Sequence, residues 1–463
     1  MKCLGLTILS CISLFVMGAC SDFLKEKSQD EVIPSTVKDY SEMLLAYSNP
    51  GGYNMLTVLD DDIEISDVRY NNNENFIVKQ HGGCFTWQPD MWEWENGIKD
   101  SYESTYTQIM GVNAVLDGII DAEGTVEEKE VVKAQALGLR AYYYFMLVNS
   151  YGEPYNYNKK ALGVPLKLTS TLQENGMLRN TVEEVYARIV EDLELASTIF
   201  EKYPKRRGDF RINGTAVDIL LSRVYLYMEQ WDRAVEAADK AIRTAEGLTD
   251  YTIIEAGSQF YMTTYGLAEV EWLFDMSIIN TPFVPSSDLL LKYINGDKRQ
   301  ELWFDVNGAI LKRAQKNGWG PNQTIRISEA YLNRAEARVL ATNTNISGAL
   351  SDLNELRRHR ITGYQDIVIS DATVLLESIR TERRLELCFD NHRWFDLRRY
   401  GMPSISHDYK LKKNDAWVTY TLREKDPLYT LPIPKAVVLN NIKLEQNPSA
   451  NEPERVGVPK SNL

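Results

Sequence analysis

The sequence predicts a mostly α-helical protein, built as a divergent tetratricopeptide-like superhelix of helical hairpins with loop-rich insertions and a few short strands. Three observations support this fold class. Long stretches carry apolar residues at helical spacing. Small and bulky residues recur where the helices of such hairpins touch. Polar segments rich in tryptophan or proline interrupt the helical pattern at unequal intervals, so we do not expect a tandem array with a fixed period.

The predicted hairpins can be placed along the chain. Residues 102–120 and 127–151 form the first pair, joined by a short polar turn. A further helix starts at Thr181, where Thr-Val-Glu-Glu has the N-cap threonine and the glutamate of a capping box. Two repeat units follow, at 214–244 and 325–360. Small residues stand at their expected helix contacts: Ser222, Ala234, Ala241, Ala337 and Ala349.

The segment 377–400 mixes arginines and carboxylates with large aromatic residues. Its apolar spacing predicts two short helices with a break near Asp390-Asn391. Arginine can pair with a carboxylate through two parallel hydrogen bonds while its stem packs on an indole, so we expect buried guanidinium–carboxylate pairs here. Spacing alone leaves open a solvated, charged helix face.

The first 19 residues have the pattern of a secretory signal peptide. A cation, an apolar run too short to span a membrane comfortably, and small residues precede Cys20. This pattern resembles a lipoprotein signal, with cleavage before Cys20 and lipid on its sulfur; a buried N-terminal helix is the alternative. Residues 20–35 are polar and would form a tether. The mature body would then retain Cys84 and Cys388, which form neither a disulfide framework nor a metal-ligand spacing.

Size and charge restrict the classes of function. No Pro/Gly/Ser-rich linker divides the chain, so we expect one body from residue 36 to 463. Within it, we assign a helical scaffold to about 100–248 and 323–400, insertions to about 60–98 and 249–322, and a C-terminal segment to 401–463. The net charge of −14 argues against nucleic-acid binding and disfavours anionic ligands, although local patches can override the sum. The 26 tyrosines and 9 tryptophans offer flat faces that suit sugar rings.

The two insertions carry the candidate ligand-binding residues. In the first, Trp92 and Trp94 alternate with glutamates, which predicts an extended segment with both indoles on one side. In the second, Trp272 lies in a strand-like run and is expected to be buried, whereas Trp319 lies between glycines on a loop. Burial in the core is the alternative for each tryptophan. The predicted site residues are Trp94, Asn96 and Trp319, with Trp87, Trp92, Tyr261 and Tyr265 as weaker candidates.

Three motifs resemble the SusD/RagB family of surface lipoproteins. ERRLELCFDNHRWFDLRRYG at 382–401 is similar to the C-terminal signature of the family. IRISEAYLNRAEARVL precedes it at 325–340, and YTLPIPKAVVLNNIKLEQNP follows it at 429–448. Two departures are minor. Asp390-Asn391 replaces the usual Glu-Gly, and Ala436-Val437 lacks the acidic residue common after Pro-Ile-Pro.

The resemblance implies a non-catalytic protein on the outside of the outer membrane. Such a protein binds oligosaccharides and covers a SusC-like TonB-dependent transporter. We assign no cofactor and no metal site to this sequence. The sequence contains no GxSxG, P-loop, HExxH, paired CxxC or GxGxxG motif. Two alternatives stay open. The aromatic residues could anchor a protein partner on a helical-repeat adaptor, or two carboxylates distant in sequence could form a surface glycoside hydrolase.

Overall fold

The computed structural model describes residues 34–48, 54–70, 75–94, 97, 100–255, 264–274, 282–304 and 323–460. Helices dominate these ranges, as the sequence predicts. None of the helices described combines the length and apolar character that a membrane span requires. The α-helices are α1 (Val37–Ala46), α2 (Asn54–Leu59), α3 (Phe76–Phe85), α4 (Tyr102–Gly118), α5 (Val126–Tyr151), α6 (Tyr155–Asn158), α7 (Val182–Lys202), α8 (Gly214–Tyr227), α9 (Trp231–Thr244), α10 (Ser287–Leu290), α11 (Lys298–Trp303), α12 (Ile327–Leu340), α13 (Ile346–Arg358), α14 (Ala372–Leu387), α15 (Arg393–Arg399) and α16 (Lys435–Asn440).

The long helices form one continuous stack. α5 packs against α4 and α7, α8 packs against α7 and α9, and α12 packs against α9, α13 and α14. Local sequence sets the start of several helices. At Thr181 the threonine side chain accepts from the N–H of Glu184, whose carboxylate accepts from the N–H of Thr181, so the predicted capping box is present. The same arrangement begins α5 at Thr125.

Small residues allow the helices of the stack to approach closely. Ala234, Ala237, Ala238 and Ala241 are all buried on α9, which lies between α8 and α12. An alanine offers only a methyl group, so the neighbouring helices can fill the space that a larger side chain would occupy. The other predicted contact residues, Ser222, Ala337 and Ala349, are also fully buried.

Short strands connect the insertions to each other and to the scaffold. They are β1 (Ile63–Ile65), β2 (Val270–Phe274), β3 (Phe283–Pro285), β4 (Gln323–Arg326), β5 (Ile405–Tyr409), β6 (Val418–Leu422) and β7 (Val458–Pro459). β1 of the first insertion pairs antiparallel with β3 of the second, with Glu64 opposite Val284. β2 pairs with β4, and β5, β6 and β7 form an antiparallel sheet in that order. The pairing of β1 with β3 therefore brings the two insertions together.

The signature segment contains the predicted break between helices. α14 ends at Leu387 and α15 begins at Arg393. Between them, Phe389 and Asn391 have φ of 62° and 61°, in the left-handed region. Asparagine enters this region more readily than most residues other than glycine, so it suits a position where the family usually has glycine.

A network of buried charges joins the signature segment to the second insertion. The carboxylate of Glu386 accepts hydrogen bonds from Arg299 (3.0 Å), Arg326 (2.6 Å) and Arg360 (2.8 and 3.0 Å). Arg360 also donates to Glu269 at 2.6 Å. All five side chains are almost completely excluded from solvent. The prediction of buried guanidinium–carboxylate pairs is therefore confirmed, and the alternative of a solvated helix face is wrong.

The two cysteines in the described ranges are buried, and no disulfide joins them. Cys388 belongs to the core, as its place on an apolar stripe predicts. Burial raises the pKa of the Cys84 thiol to about 12. Trp272, predicted to be buried, is fully enclosed and stacks on Phe274 with a ring separation of 4.2 Å.

Candidate ligand-binding site

Residues 86–94 form turns, although the alternation of tryptophan and glutamate over residues 92–95 predicted an extended segment. α3 ends at Phe85, and the N–H of Glu93 donates to the carbonyl oxygen of Asp90 at 2.9 Å. A bond between residues three apart closes a turn and cannot occur within a strand. The prediction of an extended segment is therefore wrong for the part of it that the structure describes.

Trp94 lies on one side of α3 and is half-buried. Its indole N–H donates to the carbonyl oxygen of Lys79 at 2.9 Å, which fixes the plane of the ring. The ring reaches this position because Gly82 and Gly83 have no side chains. A methyl group at Gly82 would lie 3.4 Å from the indole, and one at Gly83 would lie 3.2 Å from its Cβ. Part of the indole surface therefore remains open to solvent while the ring is held in place.

The other two tryptophans of the segment have different environments. Trp92 is half-buried, and its N–H donates to the carbonyl oxygen of Pro432 at 2.6 Å. Trp87 is fully buried, donates to the carbonyl oxygen of Leu59 at 3.0 Å, and stacks on His407 with the rings 4.3 Å apart. Trp87 is thus a core residue in this structure, and its ring has no surface to offer a ligand.

The remaining predicted site residues are only partly covered by the structure. Asn96, Tyr261 and Trp319 lie outside the described residues. Tyr265 is half-buried and meets Phe210 edge-to-face, with the rings 5.6 Å apart. Trp92 and Trp94 therefore share one segment, whereas Tyr265 contacts the loop before α8.

An open cleft that the sequence does not predict lies between the first insertion and the C-terminal segment. It has a volume of about 580 Å³ and lies between β1, the start of α10 and β5. This volume is within the usual range for small-molecule sites. Residues from both insertions and from the C-terminal segment line it, among them Asp61, Glu64, Asp288, His407, Asp408, Trp417 and Lys460.

The carboxylates of the cleft are already oriented by hydrogen bonds. Glu64 accepts from the N–H and the hydroxyl of Ser287, both at 3.0 Å. Burial raises the pKa of Asp408, but hydrogen bonds from Lys460 and Thr419 outweigh it and hold the pKa below its ordinary value. Burial also raises the pKa of Asp288, but the opposing effects, led by Arg384, outweigh it and hold the pKa below its ordinary value. Asp288 and Asp408 are therefore ionised and can accept hydrogen bonds from hydroxyl groups.

Aromatic rings stand next to this cleft. Trp417 is half-buried and has the ammonium group of Lys410 4.5 Å from its ring centroid. Tyr409 and Tyr420 lie edge-to-face on neighbouring strands, 6.1 Å apart. A methyl group at Gly82 would lie 2.9 Å from the hydroxyl of Tyr409, so Tyr409 and Trp94 both border the same small patch of α3. The signal available in the sequence was the aromatic pair Trp417 and Tyr420, three residues apart at β6.

Three consecutive carboxyls, Asp60, Asp61 and Asp62, lie close enough together to hold a cation. Arginines already neutralise two of them. Arg393 donates to both oxygens of Asp61, at 2.6 and 2.8 Å, and Arg384 donates to Asp62 at 2.6 Å. Burial raises the pKa of Asp61, but Arg393 outweighs it and lowers the pKa to about 2. Asp61 and Asp62 therefore have counter-charges within the protein, whereas burial raises the pKa of Asp60 well above its ordinary value.

Family comparisons agree with the fold and with the three motifs. Residues 22–226 match a family described as "Starch-binding associating with outer membrane", and residues 303–449 match the SusD family. The chain belongs to the SusD/RagB family. The resemblance inferred from the C-terminal motifs is thus confirmed. No curated protein matches the chain.

Several solved SusD structures have the same fold. A SusD superfamily protein from Bacteroides thetaiotaomicron is 20% identical, with a TM-score of 0.71 over 89% of this chain and 100% of that chain. One from Bacteroides vulgatus is 22% identical, with a TM-score of 0.72 over 89% and 99%. A SusD-like carbohydrate binding protein from Bacteroides vulgatus is 22% identical, with a TM-score of 0.67 over 89% and 97%. The mostly α-helical SusD-like fold predicted from the sequence is confirmed.

Proposed function

We propose that this SusD-family protein is a non-catalytic, cell-surface lipoprotein that captures oligosaccharides and delivers them to a SusC-like TonB-dependent transporter. The observation that carries the proposal is the combination of half-buried indoles with an open cleft that contains ionised carboxylates. Sugar rings present apolar C–H faces and a rim of hydroxyl groups. Indoles bind the former by stacking, and carboxylates accept hydrogen bonds from the latter.

The ligand site would extend from Trp94 and Tyr409 to the cleft beside Trp417. Trp92 and Tyr265 are half-buried and stay in the proposal as peripheral contacts. Three residues outside the described ranges, Asn96, Tyr261 and Trp319, also stay in it on the basis of the sequence. Trp87 is left out because its ring is fully buried.

The charge state of three aspartates of the cleft favours binding of hydroxyl groups over proton donation. A glycosidase needs one carboxyl that holds its proton near neutral pH, and therefore has a raised pKa. The pKa values of Asp61, Asp288 and Asp408 are all below the ordinary value for aspartate. These three groups would bind hydroxyls as carboxylates and would not protonate a leaving group.

Titration calorimetry with a panel of neutral oligosaccharides, starch fragments among them, tests the proposal. Binding should occur without release of new reducing ends. Trp94→Ala and Trp417→Ala should each weaken binding by about fivefold, since a stacked ring contributes on the order of 1 kcal/mol. Tyr157→Ala is the matched control, because Tyr157 is an exposed ring on α6, outside the proposed site.

The outcomes separate the three functional classes. Release of reducing ends would identify a glycoside hydrolase. If a correctly folded protein binds no oligosaccharide of a broad panel, a protein-binding adaptor would be favoured. Unchanged affinity in both tryptophan variants would overturn the assignment of the site, even if the protein binds glycan.

Attachment and delivery need separate measurements. Lipid on Cys20 predicts that Cys20→Ala shifts the protein from the membrane fraction to the soluble fraction. Docking on a transporter predicts that a SusC-like protein co-purifies with the lipidated chain from detergent-solubilised outer membranes. Recovery of Cys20→Ala in the membrane fraction would contradict the proposed anchor.

A further inference from the structure

A second cavity lies within the helical scaffold and shares no lining residue with the cleft. Its volume is about 480 Å³, and it is bordered by the C-terminal end of α7, the start of α8, part of α9 and β2. Pockets of this size accommodate small ligands. Its lining includes two carboxyls in the wall, Asp218 and Glu271, and three cations nearer the rim, Arg206, Arg207 and Lys240.

Glu271 is the unusual group of this second cavity. It lies on β2 and is only 3% exposed, yet its Oε1 atom has no hydrogen-bond partner. The strand itself is held in place here, because the side-chain amide of Asn213 donates to the backbone carbonyl of Glu271 at 2.7 Å. A buried carboxyl oxygen without a donor is energetically unfavourable. A ligand that supplies a donor inside the cavity would remove this cost.

The other buried groups of the second cavity have partners, except the Nε atom of Arg207, which is a donor and not an acceptor. Asp218 accepts from the hydroxyl of Ser197 and lies 3.9 Å from the ammonium group of Lys240. The guanidinium group of Arg207 donates to the carbonyl oxygens of residues 265, 267 and 270, each at 3.0 Å. These bonds fix one wall of the cavity, and they leave Glu271 Oε1 as the acceptor available to a ligand.

One cation at the rim of the second cavity, Arg206, makes no ion pair with another residue of the described ranges. Lys205 pairs with Asp209 at 2.7 Å, Lys240 pairs with Glu201 at 3.0 Å, and Arg207 pairs with Glu246. Arg206 itself is exposed. An exposed guanidinium group is well suited to bind a carboxylate through two hydrogen bonds.

We propose that the second cavity binds a small polyhydroxylated carboxylate of the uronic-acid class. A ligand hydroxyl donates to Glu271 Oε1 inside the cavity, and the ligand carboxylate pairs with Arg206 at the rim. The acceptor is buried and the cation is exposed, so a ligand that spans the cavity would have a partner for each polar end. A neutral sugar would use the first contact alone.

Titration calorimetry with D-glucuronate and D-glucose, on the detergent-solubilised full chain at low salt, tests this second site. We expect D-glucuronate to bind and D-glucose to bind at least about fivefold more weakly. At about pH 8, where the Glu271 carboxyl is ionised, Glu271→Gln should weaken D-glucuronate binding about tenfold, because it replaces a carboxylate acceptor by a neutral amide. Arg206→Gln should remove the preference for D-glucuronate over D-glucose.

Two controls place the binding in the second cavity. Trp417→Ala should leave D-glucuronate affinity unchanged, because Trp417 lines the other cleft. Arg423→Gln should also leave it unchanged, because Arg423 is an exposed arginine that does not line this cavity. Absence of D-glucuronate binding to the unmodified chain would overturn the proposal. Equal losses in Arg206→Gln and Arg423→Gln would do so as well.

Discussion

Glu386 and Glu271 are both buried carboxyls, but their surroundings differ. Glu386 accepts four hydrogen bonds from three arginines, and Glu271 has an oxygen with no partner. Burial acts to raise the pKa of both groups. The arginines outweigh it at Glu386 and hold the pKa well below its ordinary value, whereas the pKa of Glu271 rises to about 7. Partners, and not burial, therefore separate a structural charge from one that is available to a ligand.

The largest effect is expected from Glu386→Gln. A neutral amide would leave three buried guanidinium groups with less compensating charge and fewer acceptors. Breaking a buried ion pair from one side typically costs about 3–5 kcal/mol. Urea unfolding should show a loss of this size, which is a large part of the free energy of unfolding of an ordinary domain.

A control on the same helix tests whether the loss comes from the network. Glu377 lies on α14 with its side chain 68% exposed, and Glu377→Gln should change the free energy of unfolding by less than about 0.5 kcal/mol. Equal destabilisation by the two substitutions would show that the buried network is not what distinguishes Glu386.

Glu271→Gln should have the opposite sign and a smaller size. The folded protein keeps the proton of Glu271 up to about pH 7, whereas the unfolded chain releases it near the ordinary value of 4.5. Stability therefore falls as the pH rises between these values, and the substitution removes that loss. We expect Glu271→Gln to stabilise the protein by about 1–3 kcal/mol at pH 8.

The pH dependence of this effect is its check. Below about pH 4.5 the carboxyl is protonated in both states, so the difference between Glu271→Gln and the unmodified protein should disappear. Urea midpoints at about pH 4, 6 and 8 measure it. A gain that is the same at all three values would contradict a titration of Glu271.

Local signals in the sequence predicted most of the scaffold. The capping box at Thr181 and the alternation of small and large residues around Ala234 and Ala241 act within a few residues of each other, and the structure contains both features. The arginine-rich signature also predicted buried pairs, because its charges stand among aromatic residues. It did not identify the partners in the second insertion, such as Arg299.

Long-range pairing could not be predicted in this way. β1 and β3 join because the fold brings Ile63 next to Pro285, and neither short strand has a distinctive pattern of its own. The surroundings of Trp87 and Trp94 also depend on residues that are distant in the sequence. Trp87 is buried by His407, which comes far later in the chain, and Trp94 and Tyr409 border the same position, Gly82, only in the folded chain. The sequence thus predicted the part of the candidate site that contains Trp92 and Trp94, but not the part in the C-terminal segment.

Asp366 completes the comparison as a carboxylate with good partners but no burial, and Asp366→Asn should have the smallest effect. Arg358 donates to both of its oxygens at 2.9 Å and lowers its pKa, but the two side chains are 42% and 51% exposed. Water competes for both groups, so the pair adds little to stability. The urea midpoint should not move measurably at physiological salt. A shift approaching that of Glu386→Gln would mean that hydrogen-bond geometry matters more than exclusion of water in this protein.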